Sequence, residues 1–348
     1  MNRSKNFLAA VAALLVAGIL AAVLPATLES FALGQCTQYV IFALFGLSLA
    51  YVWGDGGVMC LGQSTFFGLG AYTLALVAPN IGSTNWALAA AILVPALAAG
   101  GLGYFMFYGR LNDVYMGIIT LVVCLICSKV IGHMSGPEYA LGVVAIGGYN
   151  GIQGIEPLTE LVSGKGLESQ GIFCVAVLAC AIIFASMKLL QISKFGRVTI
   201  AVRESELRAA LLGYDVRRHK LLVFALGGAV SGFAGGLFAS FQSFVDPNVF
   251  SLALSAQCLV WVLAGGRGTL LGPLIASVLL QVLNDRLAQS VVVQPSLVIG
   301  SILLLVVVLA PEGLLPIGGR ILHALRLRAG RVAPVLAAEL DPPIDSRA

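Results

Sequence analysis

Apolar residues along this chain do not alternate with polar ones; they gather into long runs. The first is Phe7–Leu24, preceded by the basic Arg3 and Lys5. Tyr39–Trp53, Ser64–Ala78, Trp86–Tyr108, Val114–Val130 and Ile172–Leu190 follow. Leu221–Phe241, Leu252–Ala264, Leu271–Ala288 and Leu297–Ala310 complete the series. A helix needs about 20 apolar residues to cross the hydrocarbon of a membrane, with a range of roughly 17–25. The pattern predicts an all-α polytopic membrane protein with about ten transmembrane helices (roughly 8–10), several of them short or broken by Gly. The first run has the flanks of a secretory signal, yet no clear small-x-small cleavage site follows and further spans begin at once. It is read as a retained helix.

Composition narrows the class further. Of 348 residues 59% are hydrophobic and only 10% are charged, and 41 are Gly. A typical soluble domain carries about 25% charged residues, so too few are present here to coat a soluble surface. Soluble enzymes, nucleic-acid binders and disordered scaffolds are excluded on this ground. The net charge of +4 is no footprint for nucleic acid.

The placement of charge fixes an expected topology. Lys188, Lys194, Arg197, Arg203, Arg208, Arg217, Arg218 and Lys220 crowd one loop, and Arg320, Arg326, Arg328, Arg331 and Arg347 the tail. Basic residues resist translocation, so both segments should be cytoplasmic. Residues 131–171 hold Lys165 against Glu138, Glu156, Glu160 and Glu168 and should be periplasmic. Alternating spans from a cytoplasmic N-terminus satisfy every placement. The expected organisation is a transmembrane domain over residues 1–317, with a cytoplasmic loop at 195–220 and a periplasmic loop at 131–171. A cytoplasmic tail at 318–348 follows, and both termini lie in the cytoplasm.

Glycine clusters interrupt the pattern at Gly54–Tyr72, at Gly265–Pro273 and, in the external loop, at Gly147–Ile155. The first two look alike, each a Gly cluster that enters a helix after a short apolar span. Broken hydrophobic segments in corresponding halves point to a transporter's binding site. Gly62, Gln63 and Ser64, together with Gly266, Thr269 and Gly272, are therefore candidates to line a path. Unwound backbone and small hydroxyls can hydrogen-bond a zwitterion or an amide without a fixed charge. The alternation of spans makes both helices run the same way, which a strict inverted repeat would not. Close helix packing is the alternative use of these glycines. Leu141, Val143, Val144 and Ile146 suggest that the external loop packs back onto the bundle.

The basic loop predicts an amphipathic helix over Val198–Leu212. Val198, Val202, Leu207 and Leu211 fall on one face, Arg203, Glu204, Glu206 and Arg208 on the rest, and Gly213 is its C-cap. Such a helix can lie on headgroups or dock into a partner's groove. The acids among its bases favour the groove.

The chain carries no Gly-x-x-x-x-Gly-Lys-Ser/Thr, His-Glu-x-x-His or Gly-x-Ser-x-Gly sequence, so no cofactor and no catalytic residue is assigned. His133, His219 and His323 are scattered. Cys124-x-x-Cys127 lies inside an apolar run, where a thiolate is disfavoured, and is read as buried packing. Asp55, Arg267 and Asp285 are the ionisable residues nearest to membrane depth, and Asp55 is placed at the interface.

The chain resembles permeases of the LivM type, membrane subunits of bacterial ABC importers for branched-chain amino acids, urea, amides and related solutes. Leu61-Gly62-Gln63-Ser64-Thr65-Phe66-Phe67-Gly68-Leu69-Gly70-Ala71-Tyr72 and Gly147-Gly148-Tyr149-Asn150-Gly151-Ile152 carry the resemblance. So do Phe195-Gly196-Arg197, Ala201–Glu206 through Leu212-Gly213, Trp261–Leu270 and Pro311-Glu312-Gly313-Leu314. The family usually has Thr before the external Gly-Gly, where Ile146 stands here. The resemblance implies an ABC-importer permease fold in the bacterial inner membrane. It also implies a second permease subunit, two cytoplasmic ATP-binding subunits that use the ATP, and a periplasmic solute-binding protein. Arg203, Glu204, Glu206, Leu207, Leu211 and Gly213 would then couple the chain to the ATPases. The solute stays open between branched-chain amino acids and urea or short amides. A stand-alone channel or secondary carrier leaves the inner helix without a purpose, and a membrane enzyme lacks a cluster of reactive groups.

Overall fold

The computed structural model describes residues 3–159 and 166–288, together with Gly300. In chain order the α-helices are α1 (Arg3–Thr27), α2 (Ser30–Leu49), α3 (Gln63–Ile81), α4 (Thr84–Tyr108), α5 (Asp113–His133) and α6 (Ser169–Ile192). They continue as α7 (Lys194–Glu204), α8 (Glu206–Leu211), α9 (Val216–Gln242), α10 (Leu252–Gly265) and α11 (Leu271–Ala288). Among the described residues, seven stretches are long and apolar enough to cross a membrane, the helices α1–α6 and α9, with α2 extended to Asp55. Helices suit such a solvent because they satisfy every backbone polar group within the segment. The helices α1–α6 and α9–α11 match nine of the predicted runs. The last run, Leu297–Ala310, lies outside the described residues except for Gly300, as do Lys165 and the tail 318–348.

The bundle is built around α9, which packs on α4, α3 and α2, while α1 lies along α6. Glycine lets these backbones meet. A Cβ on Gly235 would lie 1.9 Å from Phe67 O, and one on Gly70 would lie 2.0 Å from Gly232 O. Small residues at such crossings bring helices into van der Waals contact where lipid supplies no hydrophobic drive. Beside this crossing Phe42, Phe45, Phe67, Phe238 and Trp261 form one aromatic cluster, with ring centroids 4.8–6.3 Å apart.

Two helices begin inside the bundle, from opposite ends. At the end that carries α7 and α8, here the basic end, α2 closes in a π-helical turn, Ala50–Asp55. Gly57 turns the chain with φ +71°. Residues 58–62 then run inward, and Leu61 N donates to Thr120 Oγ1, about two turns into α5 (3.1 Å). From there α3 runs to the opposite, loop end, where Asn80 bonds Leu141 O and Val143 N. At the loop end α9 stops at Ser243. β4 (Phe244–Val245) pairs with β3 (Ile152–Gln153), and a 3₁₀ turn, Pro247–Phe250, packs into α3 and α5. α10 starts beyond it and runs to the basic end, where the Arg267 guanidinium lies 4.8 Å over the Trp53 ring.

The neighbours repeat in reverse: α3 and α4 pack on α9 as α10 and α11 pack on α2. This is the arrangement of an inverted repeat, in which the two glycine clusters, whose helices run the same way, are not symmetry mates. The counterpart of Gly54–Gln63 is the segment 243–252. That segment re-enters through an Asp-Pro turn and a 3₁₀ helix, so no glycine signature marks it. Gly265–Pro273 is a tight turn at the basic end instead, where a Cβ on Gly265 would lie 2.1 Å from Gly272 C.

Two further expectations change. The amphipathic helix over Val198–Leu212 is two helices, broken at Ser205 (φ −164°, ψ 105°), whose hydroxyl accepts from Arg208 N and caps α8. A serine that competes for backbone donors favours such a break. Val202 is buried against the bundle whereas Leu207 and Leu211 point away, so they do not share one face. In the external loop Ile146 is buried and Val144 half-buried, but Leu141 and Val143 are exposed on a short hairpin, β1 (Ala140–Leu141) with β2 (Val144–Ala145).

Candidate functional site

The starts of α3 and α10 meet inside the bundle through serine. Ser64 N donates to Ser255 Oγ (3.1 Å), and Ser255 Oγ donates to Ser64 Oγ (2.7 Å). Ser64 Oγ donates to Ser251 O (3.1 Å) and lies 3.1 Å from Cys124 Sγ, which donates to Phe250 O (2.8 Å). Gln63 Nε2 reaches Ser48 Oγ on α2 (3.0 Å), and Ser231 Oγ on α9 donates to Gln63 O (3.2 Å). A helix start leaves backbone N–H groups unpaired; α3 borrows the Ser255 hydroxyl of α10 for Ser64 N, whereas α10 is capped by its own Ser251, whose carbonyl accepts from Ser64 Oγ. The seam is polar and uncharged. Gln63 Oε1, Thr65 Oγ1 and Tyr72 OH are buried without a hydrogen-bond partner among the described residues. Groups of this kind can exchange hydrogen bonds with a small polar solute; none is an ionised nucleophile.

Gln63 and Ser64 thus sit at the seam, with Gly62 at its edge. A Cβ on Gly62 would lie 1.9 Å from Thr120 O, so this glycine lets the chain pass close to α5. Gly266, Thr269 and Gly272 are not brought to it. They form the α10–α11 turn, where Thr269 Oγ1 accepts from Gly272 N (3.2 Å) and donates to Gly266 O (3.2 Å). Ser255 and Gly266 are separated by most of α10, about 16 Å at 1.5 Å per residue.

A second constellation ties α7 and α8 to the basic end. Arg203 donates to Gly54 O and to Glu204 Oε1 (2.6 Å). The guanidinium holds the exposed Glu204 carboxyl below the usual carboxylate range. The buried Lys220 on α9 pairs with Glu206 on α8 and, at 3.6 Å, with Asp113 on α5. Gln191 donates to both oxygens of Asp55 (3.0 and 2.8 Å) at the end of the π turn. Glu206 is therefore held by the bundle, whereas Glu204, Leu207 and Leu211 face outward. Gly213, with φ +86°, ends the pair in the left-handed conformation.

Residues 31–310 match the family described as the branched-chain amino acid transport system / permease component. The chain belongs to this permease family. It is 31% identical over 296 residues to the high-affinity branched-chain amino acid transport system permease protein LivM of Salmonella typhimurium, covering 80% of this chain and 69% of that relative. A probable LivM of Methanocaldococcus jannaschii is 27% identical, covering 74% and 71%. The L-arabinose ABC transporter permease protein AraH of Azospirillum brasilense is 35% identical over a shorter stretch, 34% of this chain and 37% of that protein. No solved structure matches. The permease is an all-α, multi-pass membrane protein, and its relatives are permease proteins of transport systems.

In this permease, sequence reasoning reached one strand of the seam and missed the other. Ser251 follows Asp246-Pro247 and opens an apolar run, which is an N-cap signature, and Ser255 lies one turn later on the same face. That signal was available but resembles any helix start. Cys124 is buried as expected, and it also contributes two polar contacts to the seam.

Proposed function

We propose that this permease forms half of the translocation path of an ATP-driven importer for branched-chain amino acids in a bacterial inner membrane. Its termini and the α7–α8 loop lie in the cytoplasm, as the basic residues of that loop require. A second permease subunit supplies the other half, two cytoplasmic ATP-binding subunits supply the energy, and a periplasmic binding protein delivers the solute. The seam of Gln63, Ser64, Ser251 and Ser255 is the constriction between the two half-helices. Gly266, Thr269 and Gly272 lie at its cytoplasmic exit.

The observation that carries this reading is the posture of α7 and α8. Leu207 and Leu211 are 73% and 79% exposed on the short helix α8, which Glu206 ties to Lys220 of α9 and, through it, to Asp113 of α5, while Arg203 ties the adjoining α7 to the π turn. Exposed leucines on a helix pinned by charge suit a docking knob for a protein groove. A docked ATPase that changes shape on binding nucleotide pulls on this knob, and the ties carry the movement to the π turn and the start of α9. A partner shifts a two-state element only through contacts that differ between the states.

The combined substitution Leu207→Asp and Leu211→Asp tests it. Both side chains lie outside the fold, so the permease still assembles with its permease partner. The ATP-binding subunits are lost on purification and ATP-driven uptake stops. Full retention of those subunits with normal uptake would overturn the docking role.

A further inference from the structure

A cavity of about 480 Å³ opens beside the seam, toward the loop end. It lies within the range of roughly 300–1,000 Å³ usual for small-molecule sites. Its wall is the aromatic cluster, through Phe42, Phe67 and Phe238. Its rim carries Asp246, and its floor is the first turn of α10 with Ser251 and Leu254. Asn248 Nδ2 donates to one Asp246 oxygen (2.6 Å) and so orients the carboxylate. Ser251 belongs to both places: its side chain caps α10 through Leu254 N (3.2 Å), and its carbonyl accepts from Ser64 of the seam.

Three chemistries therefore face one space. An acid on the rim attracts a cation. The start of a 14-residue helix carries partial positive charge and favours an anion. The Phe42 and Phe238 rings, backed by the buried Phe67, offer apolar area at low conformational cost. A zwitterionic α-amino acid with an apolar side chain presents the complement of all three within one small molecule. Urea and short amides carry neither formal charge, and a sugar lacks the apolar body.

We infer that this cavity is a transient binding site for an apolar L-α-amino acid, occupied after delivery and before the seam opens. The ammonium group meets Asp246, the carboxylate meets the first turn of α10, and the side chain lies on Phe42 and Phe238. Release follows when α3 and α10 part, because Ser251 moves with the seam. The inference rests on the importer reading above and adds to it where in this chain the solute is held.

The test is uptake of radiolabelled L-leucine by the whole importer, with its binding protein saturating, in Asp246→Asn, Leu254→Trp and, as a control, Ala256→Trp. Ala256 is exposed on α10 and does not line the cavity. Asp246→Asn should lower maximal uptake at least ten-fold, and Leu254→Trp, which fills the space, should abolish it. Ala256→Trp should transport normally, and all three should retain subunit assembly and basal ATP hydrolysis. Unchanged uptake in Asp246→Asn and Leu254→Trp would overturn the site and leave the importer reading standing. Equal loss in Ala256→Trp would also overturn it, since the face of α10 would then be a contact with the second permease. Failure of the unsubstituted importer to move any amino acid would instead refute the importer reading.

Discussion

Ser255 shows how much one hydroxyl can hold together in this permease. It accepts from Ser64 N and donates to Ser64 Oγ, linking residues 191 positions apart. Ser255→Ala leaves a buried backbone donor without its acceptor, a loss of about 1–3 kcal/mol. Thermal unfolding of the detergent-solubilised permease should register it, and Ser255→Thr, which keeps the hydroxyl, should restore most of the difference. An unchanged midpoint in Ser255→Ala would mean that the seam contributes nothing to closing the bundle. Gly62 is a poorer probe of transport than its position in the sequence suggests. A larger side chain there collides with the backbone of α5 at Thr120, so lost uptake would come with lost folding. Gly62, Gln63 and Ser64 were legible because glycine interrupts an apolar run. Ser255 was not, since a single serine leaves the hydropathy of α10 unchanged and its partner is remote in sequence.

Among the elements, hydropathy located the helices well: the run Val114–Val130 became Asp113–His133, and Leu252–Ala264 became Leu252–Gly265. It failed where polar side chains compete with the backbone, as at Ser205, and where the chain re-enters without regular structure. Periodicity reports an average face and is blind to one residue that leaves helical geometry, so Val202 and Leu207 were put on a single stripe. The contact of α3 with α9 depends on glycine. Gly235→Leu would place a side chain where Phe67 O already lies, and the yield of folded, monodisperse permease should collapse. Gly100→Ala has nothing within 4 Å of the added carbon, and a gain in helix propensity of about 1 kcal/mol should leave its yield intact. Size-exclusion chromatography of both variants decides the point. Equal yields would show that the crossing relaxes to accept a side chain.

The whole molecule is organised by opposition. α3 starts inside the bundle after entering from the basic end, α10 starts there after entering from the loop end, and the serines of the two are hydrogen-bonded in the middle. A neutral seam suits a zwitterion, because it leaves no fixed charge to trap either end of the solute. The two charged anchors, Asp246 and the α7–α8 ties, lie at the loop end and the basic end of the bundle. In the proposed importer the first receives the solute and the second receives the mechanical input, so the permease needs no energy source of its own. The most direct measurement is uptake of radiolabelled L-leucine into proteoliposomes that hold this chain with its permease partner and ATP-binding subunits. Uptake should require both ATP on the side of α7 and α8 and the loaded binding protein on the other, and should vanish when the ATP-binding subunits are left out. Leucine uptake at the same rate by this chain without those subunits would contradict the account.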